Sequence, residues 1–569
     1  MPRSGQGISR QAAVTASTTS RGEATAVASH PGSNIGEKTF LGHPRGLFVL
    51  FFAEMWERFS YYGMRAILVF YLLQHWLFAE EKAYVIYGAY TALVYITPVV
   101  GGYIADRWLG QRKAVQFGAI LLVIGHGLMA FEGPGPAAGL DATMMQSSIH
   151  IDIFWLALAF IIMGVGFLKA NISVLVGQLY RQGDARRDPA FTIFYMGINV
   201  GAALGSLLVG YLGQSEDWGW SWGFGLAGVG MLLGLLVFVL GRPYLQGKGE
   251  APDAELLARR SVAGLPTEWL IYLGSLAGVV LVWFLVQYQS VVGGLLGVTG
   301  ALVVIWLLYN VVAKLDKIAR DRILAAMFLI GLQPLFWALF EQAGSSLNVF
   351  TDRHVDRVLF GWTVPASMFQ SINSIYIITL APIFAWLWTW LARRGLEPST
   401  PAKFGLGLVQ LGGGFLVLVA GAAAVGTDNM TPVIFIFLIY LLHTMGELCL
   451  SPVGLSAMTK LAPASMLSLM MGTWFLSSAA GNFIAGLIAS ATGGGGDEGL
   501  TDAAPVLSVY ATIGWVAIGV GVAVIVISPL VRRLMHEGVD INGVDYALAG
   551  QNEIGEPAAA GTHPEREQK

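Results

Sequence analysis

Charge is what this sequence has least of. Only 12% of its 569 residues are Asp, Glu, Lys or Arg, while 55% are hydrophobic. A soluble domain carries about 25% charged residues. One anchor helix cannot account for that deficit, so most of the chain has to lie in lipid. Cysteine is nearly absent too. Cys449 stands alone, which excludes an internal disulfide. The formal net charge of −3 lacks the basic excess of a nucleic-acid binder. There is no Gly-x-x-x-x-Gly-Lys-Ser/Thr loop for a nucleotide and no clustered Cys/His set for a metal. The expectation is a protein that is not an enzyme and uses no metal or cofactor. No apolar core of a cleavable signal peptide is visible near the start. Residues 1–45 and 535–569 are polar and lack periodic apolar spacing, so both read as disordered tails.

What is abundant is apolar sequence in lengths of about 20 residues, enough to span a bilayer. Candidate spans begin near Gly46, Ala83, Ala114, Ile151, Ala190, Trp220, Glu268, Val291, Arg322, Val364, Ala402, Pro432, Ala464 and Pro505, fourteen in all. With the N-terminus cytoplasmic, 27 of the 33 Lys and Arg fall in the tails and cytoplasmic loops. Lys82, Arg353 and Arg357 fall outside, and Arg58, Arg65 and Lys169 fall within spans. That asymmetry satisfies the positive-inside rule and puts both termini in the cytoplasm.

The fourteen spans divide into a six-helix bundle over 46–240, linkers with two extra helices over 241–321, and a second six-helix bundle over 322–534. The middle pair carries no charge in its core and reads as a lipid-facing insertion. Two six-helix halves are the plan of the major facilitator fold, which places a site near the bilayer midplane between the halves. The loop Gly102-Tyr-Ile-Ala-Asp106-Arg107-Trp-Leu-Gly110-Gln-Arg112-Lys113 resembles the Gly-x-x-x-Asp-Arg loop of that superfamily, with slightly longer spacing after the arginine.

The remaining charges sit where lipid should exclude them. An ionisable side chain at a helix centre costs about 2.5–3.5 kcal/mol on insertion scales. The first span nevertheless holds Glu54, Glu57, Arg58 and Arg65, with Tyr61 among them and Tyr62 at the edge. Offsets of 0, 3, 4, 7 and 11 from Glu54 fall within about 100° of arc on one helix face. A polar stripe of that kind faces a cavity. Lys169, Glu341 and Glu447 are the other intramembrane charges. The surplus acid of the first span suits Lys169, and Arg65 suits Glu341 or Glu447. Such pairs would open and close as the halves rock.

The run Glu54-Met-Trp-Glu57-Arg58-Phe59-Ser-Tyr61-Tyr62-Gly63 resembles the Glu-x-x-Glu-Arg-Phe-x-Tyr-Tyr-Gly signature of proton-dependent oligopeptide transporters. Phe194-Tyr195-Met-Gly-Ile198-Asn199-Val-Gly201, Gly446-Glu447-Leu-Cys-Leu-Ser451-Pro452, Phe-Leu-Lys169-Ala-Asn and Trp337-Ala-Leu-Phe-Glu341-Gln342 resemble further motifs of that family, in order. Trp474 occupies its expected tryptophan position. The two added helices are typical of its bacterial members.

The resemblance implies a proton-coupled importer of di- and tripeptides in the bacterial inner membrane, working as a monomer. It assigns proton coupling to Glu54, Glu57, Arg58, Lys169 and Glu341. Arg65, Lys169 and Asn199 would meet the peptide carboxylate, and Glu447, with Asn373, its ammonium. Tyr61, Tyr62, Tyr95, Trp337 and Trp474 would form adaptable walls, and Ser451 would face the same cavity. Arg65, Glu341, Lys169 and Glu447 would supply gating ion pairs. Burial disfavours an ionised carboxylate and a neighbouring cation favours it; Glu57 beside Lys169 lies between those effects. The alternative is a proton-coupled carrier of another small anion, such as nitrate, or of a peptide-like drug.

Some positions depart from the family pattern. Gly88 stands where animal members carry a functional histidine. Ser374 replaces a common proline, which puts the bend of that span in question. Gly201-Ala-Ala replaces Gly-Ser-Leu, at a point of expected close helix contact. His443 and His126 read as packing residues.

Overall fold

A backbone in lipid has to satisfy its own hydrogen bonds, so apolar runs of this length become helices. The computed structural model describes residues 39–181, 184–260, 264–426, 429–493 and 503–537. It contains fourteen long helices: α1 (Arg45–Phe70), α2 (Glu80–Ile104), α3 (Gln111–Met129), α4 (Ile149–Gln178), α5 (Arg187–Gly213), α6 (Trp220–Gly241), α7 (Thr267–Gln287), α8 (Gln289–Ala313), α9 (Lys317–Phe340), α10 (Ser371–Ala392), α11 (Thr400–Val425), α12 (Ile434–Leu461), α13 (Leu467–Ser490) and α14 (Ala504–Met535). Each expected span starts within seven residues of its helix. Twelve helical segments among the described residues are long and apolar enough to cross a membrane. The two others are α1, with its internal charges, and the short α3. Both are enclosed by spanning neighbours, α1 by α5 and α6, and α3 by α4 and α6.

The packing repeats. In the first half α1 lies on α5 and α6, α3 on α4 and α6, and α2 on α4. In the second half α9 lies on α13 and α14, α11 on α12 and α14, and α10 on α12. Adding eight to each helix number converts one set into the other. The contacts between halves, α2 with α13 and α5 with α10, exchange under the same operation. The chain is thus two equivalent six-helix bundles related by a pseudo-two-fold, the major facilitator arrangement.

Glycine makes the closest crossings possible. Gly197, Gly201 and Gly205 of α5 face Phe51, Met55 and Phe59 of α1, one turn at a time. A Cβ on Gly201 or Gly205 would fall 2.1 or 2.2 Å from the carbonyl oxygen of Met55 or Phe59. The Gly201-Ala-Ala variation leaves this contact intact. Gly88 meets Gly486 across the halves, where a Cβ would lie 2.8 Å from the Gly486 Cα. A histidine at position 88 has no room in this conformation.

The inserted pair does more than face lipid. α7 packs on α4, and α8 packs on α13 and α2, so the pair touches both halves. Lys113 binds Glu268 at 2.6 Å, and Tyr272 donates to the same carboxylate at 3.0 Å. The rest of both helices is exposed, as expected of a lipid face. Ser374 lies inside an unbroken α10, whose internal proline is Pro382.

The expected N-terminal tail falls outside the described residues except for 39–45, which hold a short hairpin and the start of α1. Thr39–Phe40 pairs with His43–Pro44 around Leu41 and Gly42, at φ 49° and 80°. Positive φ at both turn residues is the twist a two-residue hairpin needs. At the other end only 535–537 are described; Arg322 donates to the carbonyls of Met535 (3.0 Å) and His536 (2.9 Å), which fixes the end of α14.

Candidate functional site

Glu54, Glu57, Arg58 and Arg65 share one stripe of α1 and are only 0–7% exposed. The close α1–α5 crossing sets α1 beside its neighbours, so the stripe turns inward. Arg58 Nε lies 2.7 Å from Glu54 Oε1 and 2.9 Å from Glu57 Oε2. Only the Glu54 contact has hydrogen-bond alignment. Glu54 Oε2 and both Glu57 oxygens are buried with no hydrogen-bond donor. Two carboxylates therefore share one guanidinium in a buried pocket, with three oxygens that no protein donor meets. Leaving a buried acceptor unmatched is costly, and a proton on one carboxyl would lower that cost by turning one acceptor into a donor.

Lys169 forms no ion pair among the described residues. Its Nζ sits 4.2 Å from the Tyr95 ring centroid, within electrostatic reach of Glu54, Glu57, Arg58 and Arg65. The expected Glu57–Lys169 pair is not formed, because Arg58, next in the chain, occupies both acids. Glu447, expected among the gating ion pairs, has no ion pair among the described residues. Glu447 instead accepts from Asn373 Nδ2 at 3.0 Å, and the same nitrogen lies 3.0 Å from Thr444 Oγ1. Tyr62, Tyr95 and Tyr195 of the first half lie within electrostatic reach of Glu447 in the second. The facing surfaces of the two halves thus carry Lys169 on α4, Glu447 on α12 and phenols between.

The halves are joined at the end away from the termini. Arg65 is ion-paired with Glu341, which sits in the tight turn Glu341–Gly344 closing α9. Arg65 Nε donates to Tyr87 at 2.5 Å, and its guanidinium lies against the Tyr62 and Tyr87 rings. The Ala66 carbonyl accepts from Asn348 (3.0 Å) and Gln370 (3.2 Å), and Gln214 accepts from the Ser367 amide at 2.9 Å. A second ion pair, Arg353 with Glu80, lies nearby. Arg65 is fully engaged here and is not free to anchor a ligand in this conformation.

Several expected wall residues are placed differently. Trp474 is buried within the second half, packed on Gly454 and Phe404, because Gly454 leaves room for the indole. Tyr61 is buried beside Tyr62 with its hydroxyl unpartnered. Asn199 spends its amide on the Tyr195 carbonyl of its own helix at 3.0 Å. Trp337 is partly exposed and donates to Gln333 at 2.6 Å. Ser451 lies one turn from Glu447 with its hydroxyl unpartnered. His443 packs on Phe415, with no pair to Glu447, and His126 is enclosed with both ring nitrogens unpartnered.

Residues not singled out by sequence include Tyr87, Tyr195, Gln333 and the Glu80–Arg353 pair. A signal existed for two of these. Tyr84, Tyr87 and Tyr95 share one face of α2, and Arg353 is a rare cation on the side otherwise poor in positive charge.

The model of the POT family matches residues 112–496. An uncharacterized transporter, YclF, of Bacillus subtilis is 38% identical over 512 residues, covering 88% of this chain and 97% of its own. The peptide transporter YePEPT of Yersinia enterocolitica is 37% identical over 531 residues, with the same coverage. A di-/tripeptide transporter of Lactococcus lactis is 33% identical over 522 residues, covering 89% of this chain and 99% of its own. A crystal structure of a peptide transporter POT, in a mutant form bound to alafosfalin, superposes with a TM-score of 0.73 at 36% identity, covering 88% of this chain and 97% of that one. With the family model covering most of its length and relatives matched nearly end to end, this chain belongs to the POT family of membrane transporters.

Proposed function

We propose that this protein is a proton-coupled symporter that imports di- and tripeptides across the bacterial inner membrane by alternating access, acting as a monomer with both termini in the cytoplasm. The orientation rests on the distribution of Lys and Arg. In that orientation the end closed by the Arg65–Glu341 pair is periplasmic.

The observation that carries the reading is the buried Glu54–Arg58–Glu57 set beside an uncommitted Lys169. Unmet carboxylate oxygens next to a free ammonium make a site whose charge changes by one proton. A proton on Glu57 removes the negative charge that competes for Lys169 and strengthens its hold on a peptide carboxylate. Glu447 with Asn373, on the opposite half, suits the ammonium. A site that grips both ends of a zwitterion and leaves the middle to aromatic walls tolerates varied side chains. The relatives named as peptide and di-/tripeptide transporters support this substrate class. Glu447 argues against a bare anion such as nitrate. The alafosfalin-bound relative favours including peptide-like compounds. Each proton entering down 100 mV contributes about 2.3 kcal/mol, roughly a 50-fold concentration ratio.

The test is uptake of dialanine and trialanine by the full-length protein in liposomes, with an acid exterior, with and without an imposed voltage. Accumulation of either that depends on the pH gradient is expected. No pH-dependent uptake of either peptide overturns the reading.

A further inference from the structure

Away from the cavity, on the outer surface, two hollows lie along the seam between α1 and α6. The first, of about 340 Å³, is lined by Arg45, Phe48, Phe52, Val237 and Tyr244 among others. The second, of about 150 Å³, is lined by Met55, Phe59, Leu204, Leu226, Val229 and Leu233 among others, with α5 forming one wall. Phe52 and Met55 are one turn apart on α1, as are Val237 and Leu233 on α6. The residue numbers rise along α1 while they fall along α6, so the two hollows lie end to end along one seam, which we treat as one groove. Gly230 lines the second hollow, and α6 lies close on α1 along the seam: a Cβ on Gly230 would lie 2.5 Å from the Phe59 ring, and one on Gly234 3.0 Å from the Trp56 Cβ. Leu204, Val229 and Leu233 form exposed rims.

Exposed apolar rims are ordinary on a membrane helix and say nothing alone. Three further features point to an occupant. The groove is concave, where a lipid face is usually convex. Arg45 stands at its mouth without a hydrogen bond or ion pair among the described residues, and no acid lines either hollow. Arg242 opens the turn Arg242–Leu245 that carries Tyr244 and packs on the start of α1. The third feature is length. Arg45 and Phe59 are 14 residues apart, or about 21 Å along a helix. One leaflet with its headgroups is about 20–22 Å, half of a bilayer of about 40–45 Å.

We propose that this groove is a specific site for an anionic phospholipid of the leaflet at the terminus end, with its phosphate on Arg45 and one acyl chain along α1, α5 and α6. The lipid then lies on the back of the helix whose front carries Glu54, Glu57 and Arg58. A cation at a membrane-edge pocket reads anionic headgroups, and the apolar channel below it separates a lipid from a free phosphate.

Native mass spectrometry of the full-length protein, titrated with dioleoylphosphatidylglycerol or dioleoylphosphatidylcholine, tests this. The wild type is expected to retain the anionic lipid preferentially. Arg45→Gln is expected to lower that preference about fivefold, the worth of one arginine at an anionic surface, while Arg45→Lys keeps most of it. Leu204→Trp, which fills the groove and leaves every charge in place, is expected to lower retention as well and stands as an independent arm should Arg45→Gln fail to fold. Equal retention of the two lipids, unchanged preference in Arg45→Gln, or displacement of the lipid by inorganic phosphate alone would overturn the site.

Discussion

Arg65 and Glu341 form an ion pair across the two halves, with Tyr87 as the third member. All three side chains are buried. Breaking a buried pair from one side leaves the other charge unmatched and costs about 3–5 kcal/mol. Glu341→Gln should therefore release the closed end. With a cysteine at Gln370, which borders the same seam, maleimide labelling from that end should rise by at least about tenfold. The native Cys449 is buried and should stay silent.

The second pair, Arg353 with Glu80, is partly exposed, at 23% and 18%. Exposed pairs are worth about 0–1 kcal/mol. Glu80→Gln should shift the same labelling rate by no more than about fivefold. The double exchange Glu80→Arg with Arg353→Glu should restore it. A rise in labelling in Glu80→Gln as large as that in Glu341→Gln would mean that the outer lock, not the Arg65 pair, dominates closure.

The α1–α5 crossing gives a stability prediction. A methyl at Gly205 collides with the Phe59 carbonyl, and such overpacking costs about 1–3 kcal/mol. Gly205→Ala should lower the melting temperature of the purified protein. Gly413→Ala on α11 has nothing within 4 Å of its new methyl and gains helix propensity of up to about 1 kcal/mol. It should leave the melting temperature unchanged or raise it.

The N-terminal hairpin gives a pH prediction. The His43 Nδ1 lies 2.9 Å from the Tyr180 hydroxyl. Burial, and then the nearby Arg186, push the His43 pKa below its ordinary value of about 6.5, against the smaller pull of Asp184. The docked hairpin thus binds fewer protons than the released one. Its stability is present above the ordinary histidine range and is lost as pH falls through that range towards the docked value. Amide exchange over 39–45, corrected for intrinsic rates, should be faster at pH 5 than at pH 7.5.

The order, number and starts of the helices were legible in the sequence, because hydropathy over 20 residues is a local property. The stripe from Glu54 to Arg65 was legible for the same reason: four charges at helical spacing can be placed without knowing any neighbour. Partners were harder. Arg65 was assignable to Glu341 or Glu447 but not to one, since that choice depends on how two distant helices lie. Arg58 took both acids of its own helix, leaving Lys169 on the Tyr95 ring, a competition that a list of intramembrane charges does not resolve. Trp474 turned inward because Gly454, twenty residues away, leaves space for it. Gly88 fits its crossing only because Gly486 approaches from the other half.

The division of labour on α1 is tested most directly at Glu57. Purified Glu57→Gln in liposomes should exchange labelled dialanine across the membrane at close to the wild-type rate, yet fail to accumulate it against a gradient when the exterior is acid. Proton-driven accumulation that persists in this variant would contradict the account and move the proton site elsewhere.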